Sequence, residues 1–475
     1  MARLSQWILW AASALVLQGC GGTPLSPWHT ERLQEEFVAS TSDQLLAFED
    51  YLRLEDRLFL ELKLSVNSQV ETGSAYDLVR YSNGSSADPL GYPTNWNRTF
   101  ELKANAPVGG VLLLHGMSDS PYSLRALAEV LHDHGYWVVG MRMPGHGTAP
   151  SGLKYVKPED MIAATRIGMA RLSSSVGDKP IHVVGYSTGA SLALGYTLDA
   201  AEGLVSPQAS SLVLISPAIR IHSAAALASF KRGASSVPGL GGLAWLSVMP
   251  EFDPYKYNSF ATNAADVVHQ MTRSVDDRIA ARADTDPPLP PILALKSTVD
   301  ATVTMEAIVD NLLTLLEPNR NELVLFDVNR FAAKSSLLVD DPGPLTNRLM
   351  ADDSLPFGVT LISNRDTNTR EVVARYKAPL SENVTEHELH GLAWPSDVFS
   401  LSHIALPFPP DDPLYGSNPP VGDESLHLGD IPMRGERDLN KIPGEWLLRM
   451  RYNPFYDVLE SHVLEWLNNA GSTAQ

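Results

Sequence analysis

The chain has one cysteine in 475 residues, Cys20. No internal disulfide can form, so stability must rest on core packing. Cationic side chains are also scarce: 36 Lys and Arg against 55 Asp and Glu leave a formal charge of −19. That balance argues against nucleic acid as a partner, which demands a basic patch, and against electrostatic docking on an anionic membrane. After the first twenty residues no segment offers 18 uninterrupted apolar positions, so none reads as a transmembrane helix. There is no His-Glu-x-x-His, no cysteine cluster, and no Gly-rich nucleotide loop after a strand. Neither a metal nor a cofactor is expected. What remains, 44% hydrophobic and 19% charged, is the composition of an ordinary globule.

The first residues are of another kind. Arg3 precedes an apolar run, residues 7–17, that is too short to span a bilayer, and residues 1–19 read as a signal peptide. The sequence Leu-Gln-Gly-Cys20 then resembles a bacterial lipobox. The resemblance implies that Cys20 is lipidated and becomes the first mature residue of a lipoprotein. An ordinary secretory signal with an incidental cysteine is the alternative. Three acyl chains anchor stably where one does not, so a tether in the bacterial cell envelope is expected. Gly21 rather than an aspartate after Cys20 points to the outer membrane, facing the periplasm.

Residues 20–97 read as an N-terminal linker and extension, helical in periodicity over 31–64 and loop-like over 66–98. From residue 98 to 475 a larger domain follows. Apolar strands at 108–114, 136–142, 181–186, 210–216, 290–297 and 321–328 alternate with helical stretches. Continuous apolar strands joined by helices define an α/β class with a mostly parallel sheet covered on both faces. Two segments break the rhythm. Residues 218–288 are too long for a connection and too apolar for disorder, and read as a cap over the sheet's C-terminal edge. Residues 329–400 form a second insertion, with a strand pair expected at 358–363 and 370–377. A Pro/Gly/Asp-rich loop over 404–445 and an amphipathic helix over 456–467 end the chain.

In open α/β sheets ligands bind beyond the carboxyl ends of the strands. Ser187 stands at such a place, in Gly185-Tyr-Ser-Thr-Gly189 between an apolar strand and a small-residue helix. The pentapeptide alone arises by chance in roughly one chain of this size in five, so its strand-turn-helix setting carries the argument. The glycines allow the sharp turn of a nucleophile elbow. An acyl-transfer serine needs an oxyanion hole of two backbone N–H groups. Thr188 supplies one as the residue after the nucleophile. Met117, in the His-Gly loop that follows strand 108–114, is the expected second. His115 and His146 read as structural hydrogen-bonding residues rather than catalytic bases.

The segments HGMSDSPYSLRALAEVLHDHGYWVVGMRMPGHGTAP and GYSTGASLALGY together resemble the bacterial monoacylglycerol lipase and carboxylesterase branch of the α/β-hydrolase family, over about 108–220. The resemblance implies an α/β-hydrolase fold and a triad in the chain order Ser, Asp/Glu, His. Asp300, in the loop after strand 290–297, fits the acid. Asp253 and Asp327 are weaker candidates. His403, where an apolar stretch runs into a proline-rich loop, resembles the family's histidine loop; His387, His390 and His462 lie in less fitting surroundings. The second insertion must leave His403 at the sheet edge for this assignment to hold.

The expected chemistry is hydrolysis of carboxylic esters (acylglycerols, lysophospholipids or similar acyl esters) through an acyl-enzyme. The apolar cap, with its Trp, Phe and Tyr, could line an acyl pocket or simply pack on the core. A serine aminopeptidase-like peptidase and an acyltransferase share the machinery. A non-catalytic envelope binding lipoprotein would lack a triad member.

Overall fold

Strands that are apolar at every position need cover on both faces, and the sheet supplies it. The computed structural model describes residues 24–39, 46–219, 241–282, 287–300, 305–318, 320–332, 341–396, 398, 400–418, 426–429 and 451–472. The strands are β1 (Phe100–Leu102), β2 (Gly110–Leu114), β3 (Trp137–Met141), β4 (Ile181–Tyr186), β5 (Ser211–Ile215), β6 (Trp245–Ser247), β7 (Phe260–Ala261), β8 (Ile292–Ser297), β9 (Glu322–Phe326), β10 (Gly358–Asn364), β11 (Glu371–Lys377) and β12 (Val384–Ala393). Among the described residues ten of them form one sheet in the order β1-β3-β2-β4-β5-β8-β9-β10-β11-β12, and β6 pairs with β7 apart. The run from β3 to β10 is parallel; β1, β11 and β12 are antiparallel to their neighbours.

Among the described residues the α-helices of more than one turn are α1 (Phe48–Ser65), α2 (Arg125–Asp133), α3 (Pro158–Val176), α4 (Thr188–Ala201), α5 (Thr262–Ala280), α6 (Met305–Asn311), α7 (Gly343–Ala351) and α8 (Tyr456–Ser472). Strand periodicity divides the core in two. Leu112, Val183, Leu214 and Ala294 face Ile167 of α3, Leu194 of α4 and Val267 of α5. Their neighbours Leu113, Val184, Val213 and Leu295 face Leu127 of α2 and Val463 of α8. Each strand therefore stabilises both layers.

The N-terminal extension is shorter in helix than its periodicity suggests. After a single helical turn at Pro27–Thr30, residues 31–39 are not helical, and the next described helix begins at Phe48. Over 31–39 side chains satisfy the backbone instead: Glu61 accepts the Gln34 and Glu35 amides, and Asp160 accepts that of Ala39. Glu36 and Glu55 of α1 reach the fully buried Arg142 guanidinium at 2.9 and 3.0 Å. The described part of 20–97 is thus ionically joined to the sheet at the end of β3.

The second insertion widens the sheet sideways. The expected strand pair forms as β10 and β11, and β12 adds an exposed edge strand that the polar sequence VTEHELHGLA did not reveal. The chain then returns across the sheet, where the Leu401 carbonyl accepts the Ser297 hydroxyl at 2.8 Å. In the cap, the described residues supply the β6–β7 pair and α5, which packs on α4. The described aromatics of the cap are packing residues. Tyr255 stacks on Tyr122 at 4.0 Å, and Phe252 and Tyr257 are buried. Residues 220–240 of the cap, the expected signal peptide at residues 1–19, and Cys20 lie outside the described residues.

Candidate active site

The elbow is enforced by sterics on both sides of Ser187. A Cβ at Gly185 would lie 2.5 Å from the Gly189 carbonyl oxygen, and one at Gly189 would lie 2.0 Å from that of Leu114. Only glycine lets β4 turn into α4 against the end of β2. Ser187 itself takes φ 53°, a strained region for a side-chain-bearing residue. Its backbone is held from both sides: its N–H donates to Ile215 O at 3.0 Å, and its carbonyl accepts the Ala218 amide at 3.1 Å. The side chain is thereby fixed above the strand end, at the positive terminus of α4.

The turn after β2 stands against this elbow. A Cβ on Gly116 would come within 3.1 Å of the Ser187 Cβ. Asp119 N–H closes the turn on Gly116 O at 3.2 Å, and the cap's Tyr257 amide holds Ser118 O at 2.8 Å. Met117 sits inside that turn and Thr188 is the first residue of α4, so the two backbone segments named for the oxyanion hole flank Ser187. His115 is occupied elsewhere. Its Nε2 accepts the Met143 amide at 3.0 Å and its Nδ1 contacts Gly116 O at 2.9 Å. Burial holds its pKa well below the usual histidine value. His146 is likewise buried, with its pKa lowered to about 4, chiefly by desolvation. Both histidines are structural.

His403 Nε2 lies 3.0 Å from Ser187 Oγ, and its Nδ1 lies 2.7 Å from Asp300 Oδ2. The aspartate fixes the tautomer: Nδ1–H donates to the carboxylate, which leaves Nε2 as acceptor for the serine hydroxyl. The Asp300 side chain is fully buried. Burial alone would raise its pKa, but hydrogen bonding to His403, the charge of protonated His403 and Lys296 hold it at about 2. Lys296 Nζ approaches the same Oδ2 at 3.0 Å.

The other sequence candidates sit apart from this cluster. Asp253 accepts the Tyr415 hydroxyl at 2.7 Å, and Asp327 pairs with Arg330 at 2.9 Å. His387 and His390 lie on β12 at the sheet edge, and His462 Nδ1 contacts Val458 O on α8. Two features near the site were missed from sequence. One is Lys296, whose signal was a lone lysine in the apolar ILALKS strand. The other is Asp119, paired with Lys256 of the cap at 2.7 Å; no sequence feature marks that pairing.

A mostly parallel sheet with a serine elbow between β4 and α4, and with acid and histidine loops at later strand ends, has the α/β-hydrolase fold. Comparison with known proteins agrees. Residues 105–284 match the family described as Hydrolase_4: Serine aminopeptidase, S33. Over 90 residues the chain is 38% identical to the thermostable monoacylglycerol lipase of Bacillus sp. (strain H-257), covering 19% of this chain and 35% of that one. It is 37% identical over 90 residues to a carboxylesterase of Bacillus subtilis (strain 168), covering 18% and 36%. The match thus spans about a third of the length of these curated relatives. Among solved structures, the monoacylglycerol lipase of Paleococcus ferrophilus aligns over 48% of this chain and 88% of its own, at 17% identity and a TM-score of 0.38.

Proposed function

We propose that the chain is a serine hydrolase that cleaves carboxylic esters through a Ser187-His403-Asp300 triad. The observation that carries this reading is the position of His403, within hydrogen-bond reach of both Ser187 and Asp300. His403 Nε2 takes the Ser187 proton as Oγ attacks the ester carbonyl carbon. The Met117 and Thr188 amides stabilise the oxyanion. The tetrahedral intermediate expels the alcohol, protonated by His403, and leaves an ester on Ser187. Water, deprotonated by His403, attacks that ester, and the acid leaves as Ser187 regains its proton.

The substrate class is acyl esters such as acylglycerols or lysophospholipids. The names of the matching relatives, a monoacylglycerol lipase and a carboxylesterase, support this choice. The lipobox-like motif at Cys20 supports a lipid tether that keeps the enzyme at the envelope membrane, on the periplasmic side of the outer membrane. A peptidase reading draws support from the family description. An aminopeptidase must bind a substrate ammonium, and the carboxylate beside the elbow, Asp119, is engaged by Lys256. That pairing favours the ester.

The test is a panel of p-nitrophenyl esters of graded chain length beside aminoacyl anilides, with and without an added alcohol acceptor. Ester hydrolysis that Ser187→Ala abolishes supports the proposal. Activity on anilides alone would replace it with the peptidase, and dominant transfer to the added alcohol with the acyltransferase.

A further inference from the structure

A lysine in the middle of a parallel sheet is costly to bury unless it is paired. Lys296 is the fifth residue of β8, a strand buried at every position between β5 and β9. Its side chain is fully buried, as is that of Asp300. Strand alternation places it on the same face as Ile292 and Ala294, toward the α4–α5 layer and at the strand's carboxyl end. There Nζ reaches Asp300 Oδ2 at 3.0 Å, the same oxygen that His403 Nδ1 contacts at 2.7 Å.

We propose that Lys296 is a positioning residue of the triad, which locks the Asp300 carboxylate and limits how strongly that carboxylate can stabilise a protonated His403. The inference rests on the triad reading above. Two donors on one oxygen leave the carboxylate little freedom to rotate away from the imidazole. The second donor also carries charge. An ammonium this close to the carboxylate offsets part of its field at the imidazole ring. The low Asp300 pKa of about 2 is consistent with a carboxylate that stays charged beside its two nitrogen donors. Burial lowers the Lys296 pKa, and Asp300 and then Glu306 of α6 oppose that shift.

Other groups face the pair and remain in place when Lys296 is changed. Glu306 acts on Lys296 from α6. Asp119, in the turn after β2, interacts with His403 and is itself neutralised by Lys256 from the cap. Tyr186 of β4 holds its ring 5.7 Å from the imidazole. None of these duplicates a cation on the carboxylate.

The experiment compares Lys296→Met, Lys296→Gln and Lys296→Arg by two readouts. The first is the NMR titration of the His403 ring in histidine-labelled protein, recorded in the Ser187→Ala background so that it needs no turnover. The second is the kcat/KM–pH profile with Ser187 intact. In folded Met or Gln variants the ring titration and the acid limb should both move upward by on the order of one pH unit. The Arg variant should stay near the wild type. Two neutral variants are included so that one misfolded protein does not decide the result. An unmoved ring titration in a folded neutral variant overturns the proposal, even if activity falls, because a purely structural role predicts that pattern. Failure of the triad reading would show separately, as ester hydrolysis retained in Ser187→Ala.

Discussion

His403 and Asp300 stand 103 positions apart in the chain and 2.7 Å apart in space. Helices α6 and α7 and strands β9 to β12 fall in that interval; β10, β11 and β12 add to one edge of the sheet, and the chain then returns over the ends of β5 and β8. A lateral extension of this kind leaves the carboxyl edge unobstructed, which is why a long insertion is compatible with the pair.

If Asp300 sets the tautomer of His403, its replacement should act on turnover rather than on folding. Asp300→Asn presents an amide that can hold the ring in the wrong tautomer. We expect kcat for an ester to fall on the order of 10⁴-fold with far-UV circular dichroism unchanged. A fall of less than about tenfold would remove Asp300 from the mechanism.

The elbow glycines give a second, steric prediction. Gly189→Ala places a Cβ 2.0 Å from Leu114 O, a backbone atom that cannot swing aside. We expect a loss of stability on the order of 3 kcal/mol in urea unfolding, together with loss of activity. Gly195→Ala in the same helix, where nothing lies within 4 Å, should be tolerated.

The N-terminal extension should prove inseparable from the catalytic domain. Arg142 is wholly buried, and Glu55, buried with it, also binds Thr99. Burial raises the Glu55 pKa, and the Arg142 charge and the Thr99 hydrogen bonds oppose the shift. Glu55→Ala leaves a buried guanidinium partly unpaired and should destabilise by about 3–5 kcal/mol. Differential unfolding against wild type measures this, and a change below about 1 kcal/mol would show that the contact is incidental.

Acid should weaken the fold well above the carboxylate range. Burial lowers the pKa of His146 and His182 to about 4 each, and holds that of His115 well below the usual histidine value. These rings are neutral when folded and bind protons when unfolded, below about pH 6.5. Stability is therefore lost as pH falls from about 6.5 toward 4, by up to about 1.4 kcal/mol per pH unit for each such histidine. Urea midpoints measured at pH 7.5, 6 and 5 check it: a steady fall is expected, and His182→Gln should shallow the slope. A flat profile would contradict the depressed values.

The sheet was legible because β2, β4, β5 and β8 are apolar at almost every position, a pattern that exposed strands cannot sustain. Ser187 was legible because a sharp strand-to-helix turn demands glycines on both sides, and the chain spells them. Asp300 and His403 could be placed by resemblance, since their loops occupy the expected strand ends. Strand β12 was not legible: TEHELHG is polar at all but one position, and only Leu389 and Leu392 of the strand pack, partly buried, on the core. The helix expected from residue 31 failed because Glu61 and Asp160, distant in sequence, take the amides that a helix would have used. The cap aromatics were ambiguous for a general reason. A buried packing tyrosine and a pocket-lining one look alike in sequence, and Tyr255 turned out to stack on Tyr122.

The central claim is that Ser187 is the nucleophile. Mass-spectrometric mapping after treatment with an alkyl fluorophosphonate tests it most directly, because the reagent phosphonylates an activated serine and loses fluoride. The expected result is one stoichiometric label on the peptide carrying Ser187, absent from Ser187→Ala and slowed in His403→Ala, in step with loss of ester hydrolysis. Labelling at another serine, with ester hydrolysis intact in Ser187→Ala, would contradict the account.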